Sequence, residues 1–481
     1  MARHVPVQPK CFHLLLNSFC LVPEVRESSN TLLRTMRERC GKLWRNGDSA
    51  VTYSFLSKLL RFVLGPAVLL AVATGMTPVE QGFYFVFLSL LRLKGFVDLG
   101  LGQTSAQILA FSFSKLSYDG SGGLSGPEAS QSEFLATSKF LSRFFIILSA
   151  FFLALVGGGG YFFLGGQESA AELSWQGPWL LLIVAATLNF TLASAGLISR
   201  GCNLMGRVTG VEFWVQLFGL SLFLVVLHFG GGLWASASMA LSQTFGLLFL
   251  RLRLGGAFHR QLRMASSEHF SYKEKLLPLQ LKNAVTFGSG FLIFYSFTPL
   301  VMQFCGAVAA GKVGMNLQII NMVHGFAVIW ITTKIPRMGN LAGGDERGAL
   351  GQLYRKGLRI SLASWFVFAL GALMVFLGIR FFEHPLTARM GSLPELLFWL
   401  AGGFGFLWCF LRGAFVRAFC EEPFAKINLV RGVATVALLA ALLPLIGPLG
   451  AGVAYFASMA VGAFYFERIF RHSWHERMGA A

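Results

Sequence analysis

The chain has 481 residues, of which 55% are apolar and only 13% charged, with 49 phenylalanines, 55 glycines and a mean hydropathy of +0.63. A soluble chain carries about 25% charged residues, so an ordinary water-soluble enzyme is excluded. The net charge of +18 would point to nucleic acid in a soluble protein. In a membrane protein it reflects Lys and Arg gathered in cytoplasmic loops, and no nucleic-acid partner is expected.

The apolar residues form runs of about 15 to 28, the length at which a helix crosses roughly 30 Å of hydrocarbon. None alternates apolar and polar residues as the strands of a membrane β-barrel do. The sequence therefore predicts an all-α polytopic membrane protein. Seven cysteines, Cys11, Cys20, Cys40, Cys202, Cys305, Cys409 and Cys420, show no CxxC spacing and no partnering His. They give no ground for a metal site, a disulfide framework or a cofactor.

Residues 1–52 read as a basic cytoplasmic extension. Its one apolar stretch, Cys11 to Val22, is too short to span and lacks the pattern of a cleaved signal peptide. Met36 offers an alternative start that would leave residues 1–35 untranslated. Twelve spans follow, near 54–75, 82–112, 140–164, 178–199, 208–229, 233–250, 284–305, 313–334, 358–380, 394–419, 428–446 and 449–467. They divide into an N-terminal six-helix bundle over 53–250, a cytoplasmic linker over 251–283, a C-terminal six-helix bundle over 284–467 and a cytoplasmic tail over 468–481. Sorted by these spans, 31 of the 40 Lys and Arg lie on the side of the N-terminus and three, Lys312, Arg380 and Arg389, on the other. That bias places both termini in the cytoplasm.

The two sets of six carry a faint repeat. Glu80-Gln81-Gly82-Phe83 to Leu91 opens span 2, and Lys312-Val313-Gly314-Met315 to Val323 opens span 8, an offset of 232 residues that sets Gly82 against Gly314. Many transporters are built from such repeats, with substrate bound near the midplane where the repeats meet. The run Gly157 to Gly160 in span 3 lacks the Lys-Ser/Thr of a phosphate loop and is read as a place of close helix packing or a bend.

The stretch Met76-Thr77-Pro78-Val79-Glu80-Gln81-Gly82-Phe83-Tyr84-Phe85, followed by Phe96-Val97-Asp98-Leu99-Gly100-Leu101-Gly102, resembles the span 1–2 hairpin of bacterial polysaccharide flippases. Span 8 running into Ile335-Pro336-Arg337-Met338, then Gly343-Gly344-Asp345-Glu346-Arg347, resembles the equivalent passage of their second half. These O-antigen-type exporters of lipid-linked oligosaccharides belong to the multidrug/oligosaccharidyl-lipid/polysaccharide (MOP) superfamily. Six plus six spans fit it along the whole membrane part, while the local motifs cover about a tenth of the chain. The resemblance implies two pseudo-symmetric six-helix bundles that work by alternating access in the bacterial inner (plasma) membrane, coupled to an ion gradient. It implies an anionic polyprenyl-diphosphate-linked oligosaccharide as cargo, and membrane lipids and other glycan-assembly proteins as partners. The long N-terminal extension departs from the short start usual in those proteins.

A charge inside a span costs about 2.5 to 3.5 kcal/mol on insertion scales, so each needs a partner or an aqueous cavity. Arg92 lies about 15 Å down span 2, near the midplane, and is the leading candidate for holding the diphosphate. Lys94, a second candidate for binding the substrate, shares a face with Asp98 at i, i+4, about 160° from Arg92 on the helix wheel, where Asp98 either neutralises Lys94 or takes up ions. The repeat maps Arg92 onto His324, and Asn316, Asn321 and His324 fall within an arc of about 140° on span 8, a polar face suited to substrate. A His satisfied by an interhelical hydrogen bond is the plain alternative.

Lys58 and Arg61 at the inner end of span 1, with Arg412 about 12 Å above the inner end of span 10, extend the expected basic lining to a funnel for phosphate oxygens. For Lys58 and Arg61 the alternative is snorkelling toward anionic lipid. Asp98 and Glu212, the latter with Gln216 one turn on, are the candidate ion-coupling carboxylates, or else counter-ions to Lys94 and Arg207.

Two other functions compete. A small-molecule exporter of the multidrug (MATE) branch of the superfamily would favour an acidic, aromatic cavity for cationic drugs, whereas basic midplane residues here outnumber acids. A membrane-embedded glycan polymerase or ligase would carry catalytic groups on a large outer loop, and the outer loops here are short. The expectation is a transporter and not an enzyme.

Overall fold

An apolar run in lipid satisfies its backbone within itself only as an α-helix, and the computed structural model is helical along its membrane part. It describes residues 49–98, 101–118, 123–264, 288–344, 346–419, 421 and 423–478. The expected N-terminal extension up to residue 48, most of the expected linker (265–283) and the start of the expected seventh span (284–287) lie outside the described residues.

The first half contains α1 (Ser49–Gly75), α2 (Pro78–Leu91), α3 (Leu93–Asp98), α4 (Leu101–Phe113), α5 (Glu128–Phe152), α6 (Gly159–Gly165), α7 (Gln176–Gly201), α8 (Met205–His228), α9 (Ser238–Arg253) and α10 (Gly256–Met264). The second half contains α11 (Phe297–Thr332), α12 (Ile335–Gly343), α13 (Arg347–Phe381), α14 (Leu393–Arg417), α15 (Ala425–Ile446) and α16 (Leu449–Met478). Between α4 and α5 a two-residue antiparallel ladder pairs Ser117 with Ser125 and Tyr118 with Leu124.

Among the described residues ten helices are long and apolar enough to cross a membrane. One of them, Gly288–Gly343, holds two spans joined at Gly306, where φ of 82° breaks the helix. The segmented passage Pro78–Phe113 supplies one more. Each of the twelve expected spans therefore has its counterpart. Within the first half α1 packs on α8, α8 on α9, and α7 on α4, α5 and α9. Within the second, α14 and α15 pack on α16, and α13 and α14 on α11. The halves meet chiefly through α2 and α11.

Four local departures from the sequence reading have physical causes. Span 2, expected as one helix, is interrupted at Arg92, whose N–H bonds to Ser89 O at 3.1 Å in a tighter final turn. Lys312, expected in an outer loop, lies inside α11 because Gly306 turns the chain within a single left-handed residue. α16 runs to Met478 instead of ending near 467, since Phe470 and Trp474 still pack on Tyr354 and Phe415. The helix of span 3 widens to a π-helical turn over Leu153–Gly158. The Trp179 indole N–H donates to Gly157 O there at 3.2 Å, and a Cβ at Gly160 would collide with the same ring. Of the two alternatives expected of the glycine run, the close packing is present.

Candidate functional site

The site begins where the halves cross. Thr77 caps α2 with Pro78 at its first position: its hydroxyl accepts from Glu80 N at 3.2 Å while its own N–H donates to Glu80 Oε2 at 2.8 Å. The helix thus fixed lies backbone to backbone against α11. A Cβ at Gly82 would overlap the Ala307 carbonyl, one at Gly311 would lie 3.0 Å from Gly82 N, and one at Gly314 would enter the Phe85 ring. The Gln81 amide locks the crossing by donating to Gly311 O at 3.0 Å and Arg389 O at 3.2 Å. Gly82 and Gly314, matched by the sequence repeat, thus belong to one crossing and pack three residues out of step.

Beyond the crossing the halves diverge around a cavity of about 660 Å³. Its polar lining comprises Lys58 of α1, Ser89 and Arg92 of the α2 end, Tyr295, and Thr298, Gln318, Asn321 and Thr332 of α11. The broken helix lets the Arg92 guanidinium stand in this space, 5.5 Å from the centre of the Tyr295 ring. No carboxylate lines the cavity among the described residues.

A second cavity of about 460 Å³ lies within the first half. It collects Lys94, Asp98, Asn189, Arg200, Glu212, Gln216 and Gln243. Lys94 Nζ sits 5.0 Å from the centre of the Phe190 ring. Asp98 Oδ2 accepts a long bond from Gly102 N at 3.4 Å. Glu212 pairs with Arg200 at 2.5 Å, not with Arg207 or Lys94. The Asn189 amide donates to Ala240 O at 3.0 Å and holds α7 to α9.

The expected site residues are therefore distributed over five places. Arg92, Lys58 and Asn321 share the central cavity, whereas Lys94, Asp98 and Glu212 share the second one, so Lys94, expected to bind the same substrate as Arg92, is parted from it. His324 lines neither; it is 8% exposed and stacks on Phe406 at 3.9 Å between centroids, with Phe410 edge-on at 5.7 Å. Asn316 is fully buried beside Gly391, ahead of α14.

Arg412 does not join Lys58 in a funnel. Its Nε donates to Glu467 Oε2 at 2.7 Å and its NH1 to the Tyr354 hydroxyl at 3.0 Å, between the Trp408 and Phe470 rings at 4.2 and 4.1 Å. The Arg61 side chain lies outside the described residues. Sequence reasoning missed Ser89, Tyr295, Thr298, Gln318 and Thr332 in the central lining, although Gln318 precedes Asn321 by one helical turn. It also missed Glu467, which sits at the expected boundary of span 12 and so passed for a loop residue.

The fold is similar to that of solved transporter structures. The inward-facing conformation of a multidrug resistance MATE family transporter of the MOP superfamily aligns with a TM-score of 0.60 at 14% identity, over 88% of this chain and 99% of that chain. The lipid II flippase MurJ in an inward closed conformation aligns at 0.54 with 12% identity, over 88% and 87%. The outward-facing conformation of a multidrug resistance MATE family transporter aligns at 0.50 with 15% identity, over 92% and 99%. No protein-family model and no curated protein matches the sequence. The chain is a polytopic helical membrane protein whose fold is that of a multidrug resistance MATE family transporter of the MOP superfamily and of the lipid II flippase MurJ.

Proposed function

We propose that the protein is a transporter that moves an anionic polyprenyl-diphosphate-linked oligosaccharide across a bacterial inner membrane by alternating access of its two halves. The observation that carries this reading is the central cavity, lined by Arg92 and Lys58 and by no carboxylate among the described residues. A diphosphate leaves water only where fixed cations and hydrogen-bond donors replace its hydration, and a guanidinium can do so in bidentate fashion. Ser89, Thr298, Gln318 and Asn321 add hydroxyl and amide groups for sugar hydroxyls. The prenyl tail stays in lipid beside α1, which exposes Phe55, Leu59 and Leu70.

In this reading the α2–α11 crossing closes the outer side and both termini are cytoplasmic, as the Lys and Arg bias requires. The higher TM-score against the inward-facing transporter, 0.60 against 0.50 for the outward-facing one, supports an inward-facing state. Asp98 and Glu212 couple the cycle to an ion gradient from the second cavity. Other glycan-assembly proteins would supply and receive the cargo.

A drug-exporter reading draws on that second cavity, where Asp98 and Glu212 lie near Phe145 and Phe190. Lys94 and Arg200 balance its acids, which weakens it as a site for organic cations. The deciding experiment is Arg92→Ala in cells that depend on the protein for glycan export. Export should cease with protein level and membrane insertion unchanged. Unaltered export, or loss of cationic-dye efflux instead, would overturn the assignment.

A further inference from the structure

We propose that the cleft between the facing ends of α13 and α16 binds the phosphate of an anionic phospholipid, whose acyl chain lies along α13. The cleft, about 190 Å³, lies outside both cavities described above. It is lined by Arg355, Arg412, Arg471 and His475, with Tyr354 and Trp474, and by no carboxylate among the described residues. Three guanidinium groups face one small space; Glu467, set behind the lining, pairs with Arg412 and Arg471, and the positive charge that remains calls for an anion.

The cleft is built rather than incidental. Arg412 is held rigid by Glu467, Tyr354 and its two flanking rings. Arg471 gives only Nε to Glu467, at 2.8 Å, and is 72% exposed, so its terminal nitrogens remain for a ligand. Arg355 lies over Trp474 at 5.8 Å. The other nearby acid, Glu476, faces His472 at 4.0 Å instead.

Position selects lipid over free phosphate. One turn beyond Arg355, an open groove of about 460 Å³ runs along α13 over Arg359, Ile360, Ala363, Ser364, Val367 and Phe368. Val367 is 67% exposed on this apolar face, which in a bilayer meets acyl chains. In the expected orientation the end of α16 that carries Trp474 lies at the cytoplasmic headgroups, and basic pockets between helices at that level suit anionic headgroups. The cleft admits a phosphate diester and is too small for a diphosphate-linked glycan. A lipid seated here would strap α13 to α16 and brace the second half, independently of what the central cavity carries.

The test uses the full-length protein in nanodiscs of phosphatidylcholine with a minor share of phosphatidylglycerol, transferred to detergent for native mass spectrometry. One phosphatidylglycerol should be retained, and Arg355→Ala with Arg471→Ala should weaken retention about thirtyfold, the factor for two charges lost at an anionic surface. The control pair Arg251→Ala with Arg337→Ala removes the same charge from exposed positions elsewhere and should retain the lipid. Ala363→Trp, which fills the groove, should also weaken retention. Equal loss in both charge pairs would reduce the effect to diffuse attraction and overturn the site. Displacement by inorganic phosphate with no effect of Ala363→Trp would overturn the lipid assignment in favour of a free-anion site.

Discussion

Ser89 Oγ and Thr298 Oγ1 lie 2.6 Å apart in a buried hydrogen bond that joins the first half to the second where the central cavity opens. Each hydroxyl is the other's partner, so Ser89→Ala alone strands Thr298 at a cost of about 1–3 kcal/mol, while Ser89→Ala with Thr298→Val removes both and costs little. Thermal unfolding of the four proteins in detergent should give a coupling energy of at least about 2 kcal/mol, the sum of the two single penalties. Strictly additive single effects would mean that the two hydroxyls do not depend on one another.

The crossing at Gly82, Gly311 and Gly314 admits no side chain on either helix. Gly314→Leu should therefore force α2 and α11 apart and favour a state in which the cavity opens past the crossing. A cysteine placed at Leu317, which lines the cavity near the crossing, should then react faster with a membrane-impermeant maleimide added from the side of Gln81. Unchanged labelling would show that the crossing is not the barrier. Gly82→Ala should act in the same direction, since its Cβ meets backbone and not a movable side chain.

The spans were legible because each apolar run is long enough to read without its neighbours, and the faint glycine repeat marked the very crossing that joins the halves. What the helix wheel separated, Arg92 from Lys94 and Asp98, the structure places in different cavities. His324 was matched to Arg92 by sequence offset, but offset fixes depth and not the neighbour a ring meets; the partners Phe406 and Phe410 come from α14, 82 and 86 residues away. Arg412 failed as a funnel residue for a similar reason. Its acid, Glu467, lies 55 residues on, and no local pattern links the two. The break at Arg92 was written in the sequence as a mid-span cation followed by Lys94-Gly95, yet apolar counting smooths over such points.

Glu212 and Arg200 form an ion pair whose side chains are 45% and 41% exposed to the second cavity. Pairs this open contribute about 0–1 kcal/mol, so Glu212→Gln should leave stability nearly unchanged. If the pair belongs to the coupling machinery, the same variant should blunt the response of transport to an imposed pH or sodium gradient in proteoliposomes, as should Asp98→Asn. Full gradient dependence in both variants would place coupling elsewhere in the protein.

Arg412 and Glu467 are the contrasting case, with side chains only 10% and 21% exposed and a bond of 2.7 Å. Removing one partner of such a pair leaves a charge without compensation and costs about 3–5 kcal/mol, whereas replacing both with apolar groups of similar volume is often neutral or stabilising. Glu467→Gln should therefore lower the unfolding temperature and yield, and Arg412→Met with Glu467→Met should restore much of both, short of the cost of leaving the Tyr354 hydroxyl and the Trp408 indole N–H without these partners. If Arg412 serves only to tie α14 to α16, the restored double variant should transport at the parental rate. A stable double variant without transport would instead give Arg412 a direct part in handling the substrate, and stability and transport measured on the same preparation separate the two outcomes.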